Sequence, residues 1–153
     1  MRGELALGRA EFEAGLARIL PGEHTAWQHL AAAHLHTLVE LGESALAARY
    51  AREVEASMHA LGTRPLDPTE LPIVFAWAEA HAGRLESAIE RIDQVLGEFS
   101  AGGRHAVPDR ADLGLGRLHE SRARLALLAG DGLSFSLHAE HAAIQYRKLK
   151  HPG

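Results

Sequence analysis

The chain has 153 residues, of which 46% are hydrophobic and 24% charged, and its formal net charge is −4 with histidine taken as neutral. This balance is typical of a globular domain with its own hydrophobic core and not of a disordered segment. The absence of cysteine excludes disulfides, thiolate metal sites and thiol nucleophiles. The net negative charge argues against a dedicated nucleic-acid-binding protein.

The sequence also indicates the cellular compartment of the protein. No apolar run is long enough to cross a bilayer, and the first residues, Met1-Arg2-Gly3-Glu4, do not have the form of a signal peptide. We therefore expect a cytoplasmic protein that does not enter the membrane. The basic residues are arginine apart from Lys148 and Lys150, and asparagine is absent, a bias typical of a GC-rich bacterial genome.

Apolar residues recur at helical spacing along almost the whole chain, and strand-like alternation occurs nowhere. Glycine, proline and candidate N-cap residues divide the chain into seven predicted helices. In chain order these are approximately residues 4–20, 25–41, 44–61, 68–83, 85–99, 108–129 and 133–150. The sequence thus predicts an all-α fold in one domain, 1–153.

Local signals mark several of the helix ends. Pro21-Gly22 ends the first helix, and Thr25 is a candidate N-cap for the second. Asp67-Pro68 has the form of an N-cap followed by a proline in the first turn of the fourth helix. The segment 100–107, which contains Gly102-Gly103, is the longest predicted loop.

Three glycines punctuate the chain at a nearly regular interval. Gly42, Gly83 and Gly130 each end one helix shortly before the next begins, and they stand 41 and 47 residues apart. Such short connections predict antiparallel helix pairs. The interval lies in the range of helical-hairpin repeats, in which neighbouring pairs stack to cover their apolar faces.

The middle hairpin resembles the tetratricopeptide (TPR) family of helical repeats. It has Ala76 within its first helix, Gly83 at the turn and Ala88 early in its second helix, followed by Ile92 and Val95. The outer hairpins keep most of this pattern but depart from it at Leu35 and Phe135. The residues that they keep are Gly42, Ala47, Ala51 and Val54 in the first hairpin, and Ala123, Gly130, Ala139 and Ala142 in the third.

The chain resembles the longer TPR-like repeats of bacterial regulatory proteins more than strict TPRs. This resemblance implies a definite architecture. The predicted hairpins are 24–62, 68–100 and 108–150, stacked into a right-handed superhelical array. The helix at 4–20 would be a solitary capping helix, the second half of a preceding hairpin in a longer array. The alternative that the spacing leaves open is a closed helical bundle, which is also built from hairpins.

The resemblance also implies a function and a surface for it. In a TPR-like array the first helix of each hairpin lines the concave face, where a peptide or a partner's helix binds. The resemblance implies a non-catalytic protein–protein interaction module, a scaffold or regulatory segment. Counting back from the turn glycines then predicts a mixed-charge groove around Trp77. The predicted partner-binding residues are His29, His36, Glu40, Glu70, Ile73, Trp77, His81, Arg117, Glu120 and Arg124. Trp27, in the apolar stripe of the second helix, is expected in the core.

Eleven histidines raise the alternative of a helical bundle that binds a metal or a small ligand. His138 and His141 share one helix face, and His119 on the preceding helix is a possible third ligand. Neither the HExxH pattern of helical zinc enzymes nor the paired ExxH of di-iron bundles occurs. We therefore expect no metal and no cofactor.

Other chemistry gives weaker signals. Ser134 and Ser136 lack a nucleophile-elbow context, and Gly114-Leu115-Gly116 lies within a predicted helix without the rest of a phosphate-binding motif. We expect no catalytic residues. A basic set that consists of Arg117, Arg122, Arg124, Arg147 and Lys148 is interpreted as a solvated face. The third functional alternative is a homo-oligomerisation domain in which the apolar faces of the terminal helices pair.

Overall fold

The computed structural model describes residues 2–22, 24, 26–100 and 108–149, with side chains except those of 2–6 and 108–111. Within these ranges the regular structure is entirely helical, which confirms the predicted all-α class. Seven helices occur there: α1 (Arg2–Leu16), α2 (Ala26–Glu40), α3 (Ser44–Ala60), α4 (Glu70–His81), α5 (Leu85–Ser100), α6 (Pro108–Leu128) and α7 (Gly132–Leu149). None of them is both long and apolar enough to span a membrane, as far as the described residues go.

Two predicted helix ends are wrong. Helix α1 stops at Leu16 and not near Leu20. Beyond it, the N–H of Arg18 donates to the carbonyl of Gly15, three residues back, which is a tighter turn than that of an α-helix. Helix α4 begins at Glu70 and not at Pro68. The predicted Thr25 cap lies outside the described residues, and so does the predicted loop 100–107 except for Ser100, which is the last residue of α5.

The late start of α4 follows from the hydrogen bonds of Asp67. Its Oδ1 accepts from the backbone N–H groups of Thr69, at 2.7 Å, and Glu70, at 3.1 Å, and from the Thr69 hydroxyl at 2.6 Å. These bonds satisfy donors that have no partner inside the helix. Asp67 thus binds the start of α4 from a turn that precedes the helix, whereas the N-cap position is Thr69 and not Asp67 as predicted.

The three turn glycines share one geometry. Gly42, Gly83 and Gly130 have φ values of 77°, 81° and 72°, a region that suits glycine because it has no Cβ. In each case the residue after the glycine donates its N–H to a carbonyl five residues back, at 2.9 Å, which satisfies the helix end. These bonds run from Glu43 to Leu38, from Arg84 to Glu79 and from Asp131 to Ala126.

The helices contact one another in sequence order. In the described part of the chain, every pair in contact is consecutive or separated by one helix, the latter being α2 with α4 and α4 with α6. Helix α1 contacts α2, and α7 contacts α6. The first and last helices, as far as they are described, therefore do not pack against each other.

Helix α4 belongs to both hydrophobic clusters of the core. The first cluster joins α2, α3 and α4 and contains Trp27, which is buried as predicted. The second joins α4, α5 and α6. From α4, Phe75 packs into the first cluster and Ala76 into the second, while Trp77 lies partly buried against the second.

Helix α7 does not turn all of its apolar residues towards α6. Leu137 is 51% exposed, and Ala142 is the buried residue of this helix. Tyr146, on the same side as Ala142, lies against Gly116 of α6, where a Cβ would come within 2.6 Å of the ring. This close approach fixes which face of α7 meets α6. Leu128 of α6 is exposed as well.

Candidate partner-binding groove

A groove of about 270 Å³ runs over α4, between α2 and α6. Trp77 and His81 of α4 lie in its floor, with their ring centroids 6.0 Å apart. The lining residues are His36, Val39 and Glu40 from α2, Ile73, Val74, Trp77 and His81 from α4, and Arg117, Glu120, Ser121 and Arg124 from α6. Three helices that are distant in sequence thus form one surface.

Eight of the ten residues predicted for a binding face line this groove. They are His36, Glu40, Ile73, Trp77, His81, Arg117, Glu120 and Arg124. Ile73 is only 8% exposed and also belongs to the second core cluster, so it supports the groove from below. Arg124 extends into solvent, since its side chain is 63% exposed.

The two remaining predicted residues, His29 and Glu70, pair with each other outside the groove lining. Nδ1 of His29 lies 3.0 Å from Oε2 of Glu70. The pair joins α2 to α4 across 41 residues, the interval that separates Gly42 from Gly83. Residues one interval apart therefore lie side by side.

The same relation holds inside the groove. His36, Trp77 and Arg124 each stand six residues before a turn glycine, and all three line the groove. Three lining residues were not predicted for the groove: Val39, Val74 and Ser121. A signal for two of them existed, because Val74 and Ser121 both stand nine residues before their glycines.

Ion pairs organise the charged side chains of the α6 wall. Glu120 binds Nη2 of Arg124 through Oε1 at 2.8 Å, and its Oε2 accepts the hydroxyl of Tyr146 at 2.7 Å. Burial, together with this hydrogen bond, raises the pKa of Tyr146 to about 12. Arg117 lies 3.6 Å from Oδ2 of Asp67, at the start of α4.

The predicted basic set does not form a patch of unpaired charge. Four of its five members have a carboxylate within ion-pair distance. The pairs are Arg117–Asp67, Arg122–Asp93, Arg124–Glu120 and Lys148–Asp112. Arg122 is largely buried between α5 and α6, so it contributes to packing and not to a solvated face.

The three candidate metal ligands do come together, where α6 meets α7. Nδ1 of His119 lies 3.0 Å from Nδ1 of His138, and the ring of His141 is 4.9 Å from that of His119 between centroids. Burial, and then the rings of His138 and His141, lower the pKa of His119 to about 4. Burial also lowers the pKa of His138. Among the described residues, no group of three ligating side chains is arranged to hold a metal ion.

The serines and glycines considered for catalysis take part in local structure. Asp131 caps α7 by accepting the N–H and the hydroxyl of Ser134, at 3.0 and 2.6 Å. Ser136 donates its hydroxyl to the carbonyl of Gly132 at 3.0 Å. Gly114 and Gly116 lie inside α6, close to Thr69 and Tyr146 respectively.

Comparison with known proteins gives no match: no family model, no curated protein and no solved structure is significantly similar to this chain.

Proposed function

We propose that this chain is a non-catalytic, TPR-like helical-repeat module that binds a peptide or a partner's helix in the groove between α2, α4 and α6. The observation that carries the proposal is the meeting of His36, Trp77 and Arg124 in one groove. These residues hold equivalent places before three turn glycines. A repeat whose first helices stand side by side produces this arrangement.

The order of helix contacts supports a repeat array over a closed bundle. Helices α2, α4 and α6 form one row through the α2–α4 and α4–α6 contacts, and α3 and α5 each pack against the helix that follows. In a closed bundle, the first and last helices would also contact each other. The described parts of α1 and α7 do not touch.

The size and chemistry of the groove favour a polypeptide ligand. Pockets for small molecules usually enclose about 300–1,000 Å³, so the groove, at about 270 Å³, suits one anchoring side chain better than a whole cofactor. Trp77 offers an aromatic surface for such an anchor, and the charged walls offer polar contacts around it. Aromatic and arginine residues in this combination are typical of interface hot spots.

Selection from a random peptide library tests the proposal directly. Phage-displayed peptides are enriched on the immobilised chain, synthesised, and titrated against the wild type, Trp77→Ala and Arg124→Ala by calorimetry. We expect Trp77→Ala to bind at least about tenfold more weakly. Arg124→Ala should bind about three- to fivefold more weakly, because its side chain is mostly exposed. Arg147→Ala, an exposed arginine on α7 outside the groove, is the matched control and should leave the affinity within about twofold.

Circular dichroism and thermal melting must accompany these titrations, since Trp77 also packs partly on the core. Arg124→Ala should melt like the wild type because its side chain is mostly in solvent. Enriched peptides that bind all four proteins equally would contradict the groove assignment. The same conclusion would follow if no peptide were enriched above an uncoated surface.

A further inference from the structure

The two walls of the groove carry opposite formal charge. The α2 wall contributes Glu40 and His36, and the α6 wall contributes Arg117, Arg124 and Glu120. Between them, the floor is formed by Ile73, Val74, Trp77 and His81 of α4, which carry no formal charge when histidine is neutral. The groove is therefore electrically polar across its width.

On the α6 wall, the one carboxylate is already engaged twice. Glu120 binds Arg124 through one oxygen and the hydroxyl of Tyr146 through the other. Arg117 has its carboxylate partner, Asp67, outside the lining and at the longer distance of 3.6 Å. Counted over the lining residues alone, two arginines and one glutamate give the α6 wall a formal charge of +1.

On the α2 wall, Glu40 has one partner within ion-pair distance among the described side chains, and this partner is a histidine of its own helix. Nδ1 of His36 lies 3.9 Å from Oε1 of Glu40, and the Glu40 side chain is 55% exposed. With histidine taken as neutral, the formal charge of this pair is −1. A ligand on this side would meet a carboxylate that is available for pairing.

We infer that the groove selects a dipolar polypeptide segment: an apolar side chain over Trp77, an acidic residue towards Arg117 and Arg124, and a basic residue towards Glu40. The inference rests on the proposed function and specifies the chemistry of the partner. Charge complementarity across an interface favours the correct register and disfavours partners with like charges. A ligand of one charge sign would be attracted by one wall and repelled by the other.

Helix spacing sets the separation of the ligand's two charges. Neighbouring helix axes lie about 8–10 Å apart, so α2 and α6, on either side of α4, are separated by about 16–20 Å. Side chains that reach inward from both walls shorten the distance that the ligand spans to about 10 Å, which an extended segment covers in about three residues. The acidic and basic residues should thus flank the apolar anchor closely.

Three synthetic peptides test the inference. They share one leucine anchor and differ only in the residues on its two sides: lysine and glutamate, two glutamates, or two lysines. Each is titrated at about pH 8 against the full chain. We expect the dipolar peptide to bind about three- to tenfold more tightly than either of the others, as suits exposed charge pairs.

Two protein variants assign the preference to its walls. Glu40→Gln should remove the advantage of the dipolar peptide over the acidic one, whereas Glu86→Gln, on α5, should keep it. Arg124→Gln releases Glu120 and should remove the advantage over the basic peptide, whereas Arg147→Gln should keep it. The inference would be overturned if the control substitutions reduced the preference for the dipolar peptide as much as the groove substitutions did.

The outcomes separate the inference from the proposed function. Equal binding of all three peptides, lost in Trp77→Ala, would overturn the charge preference and leave the groove in place. Tightest binding of the acidic or the basic peptide would also overturn it. If none of the peptides binds, and the library yields none, then the proposed function falls together with the inference.

Discussion

The hydroxyl of Tyr146 donates a hydrogen bond of 2.7 Å to Oε2 of Glu120, and this bond connects α7 to the wall of the groove. The other oxygen of Glu120 binds Arg124. Helix α7 therefore acts on the groove indirectly, by holding a carboxylate that orients an arginine. The relationship gives α7 a role in the proposed site although none of its described residues lines the groove.

Tyr146→Phe removes this bond and keeps the ring. We expect the free energy of unfolding to fall by about 1 kcal/mol, the usual net contribution of one hydrogen bond. Urea denaturation followed by circular dichroism measures the change. Because Glu120 also keeps its pair with Arg124, the fold should persist. An unchanged free energy of unfolding would show that the bond adds nothing to the native state.

Gly116→Ala should destabilise the protein although alanine favours helices. A Cβ at this position would lie 2.6 Å from Cε1 of Tyr146, so the ring or α7 must move. Crowding of this kind usually costs about 1–3 kcal/mol, and helix propensity offsets at most roughly 1 kcal/mol of this cost. Thermal or urea denaturation gives the net change.

Gly97→Ala is the matched control for this substitution. Gly97 is also inside a helix, α5, but no described atom of a neighbouring side chain or helix lies within 4 Å of the place that its Cβ would take. We expect it to stabilise the protein by about 0.5–1 kcal/mol, through propensity alone. Gly116→Ala that stabilised the protein by the same amount would contradict the close packing of Tyr146 on α6.

The turn glycines and the groove were the parts of this molecule that the sequence predicted best. A glycine at a helix end, followed within a few residues by a new amphipathic segment, carries its own backbone signal, and Gly42, Gly83 and Gly130 all have positive φ. Counting back from these glycines placed Trp77 and Arg124 on one surface, and both line the groove. The spacing gave the positions along each helix, and the TPR resemblance indicated that the first helix of each hairpin lines the surface.

The orientation of α7 could not be predicted in the same way, because this helix has two candidate inward faces. Leu133 and Leu137 form one, and Ala142 and Tyr146 form the other. Hydrophobicity favours the leucines, yet Leu133 is 88% exposed. The inward face is the one on which the Tyr146 ring packs closely on Gly116, and this packing is a tertiary contact between α6 and α7. A single sequence contains no direct signal for that contact.

Arg91 links three helices, and its removal should lower the free energy of unfolding. Its guanidinium binds Glu79 of α4 at 2.9 Å and Glu55 of α3 at 2.8 Å, and Cζ lies 5.5 Å from the ring centroid of Phe75. Arg91→Met leaves Glu79, which is only 17% exposed, without this partner. We expect the free energy of unfolding, measured by urea denaturation, to fall by about 2 kcal/mol.

A second substitution and a control separate charge from packing at this site. Adding Glu79→Gln to Arg91→Met should recover part of the loss, because a neutral amide is less costly to leave half-buried than a carboxylate. Arg49→Met, which breaks an exposed pair with Glu53, should change the free energy of unfolding by less than about 0.5 kcal/mol. Equal losses for Arg49→Met and Arg91→Met would refute the bridging role.

The histidine cluster should make the fold sensitive to acid. The pKa of His119 is lowered to about 4 in the folded chain by burial and by the rings of His138 and His141, whereas an unfolded histidine titrates near its ordinary value of about 6.5. Between these values the unfolded chain binds more protons. The free energy of unfolding therefore falls as the pH drops from about 6.5 to 4, and the loss is complete below about 4.

His119→Gln isolates the contribution of this residue. Between about pH 7 and 4.5, the variant should lose about 1–2 kcal/mol less than the wild type, a figure that allows for partial contact of the cluster with water. His59→Gln, an exposed position on α3, should follow the wild-type curve. Urea denaturation at a series of pH values measures all three proteins, and comparing differences between them removes the contribution of the carboxylates. If the curves of His119→Gln and the wild type ran parallel over this interval, the protons that weaken the fold in acid would have to bind elsewhere.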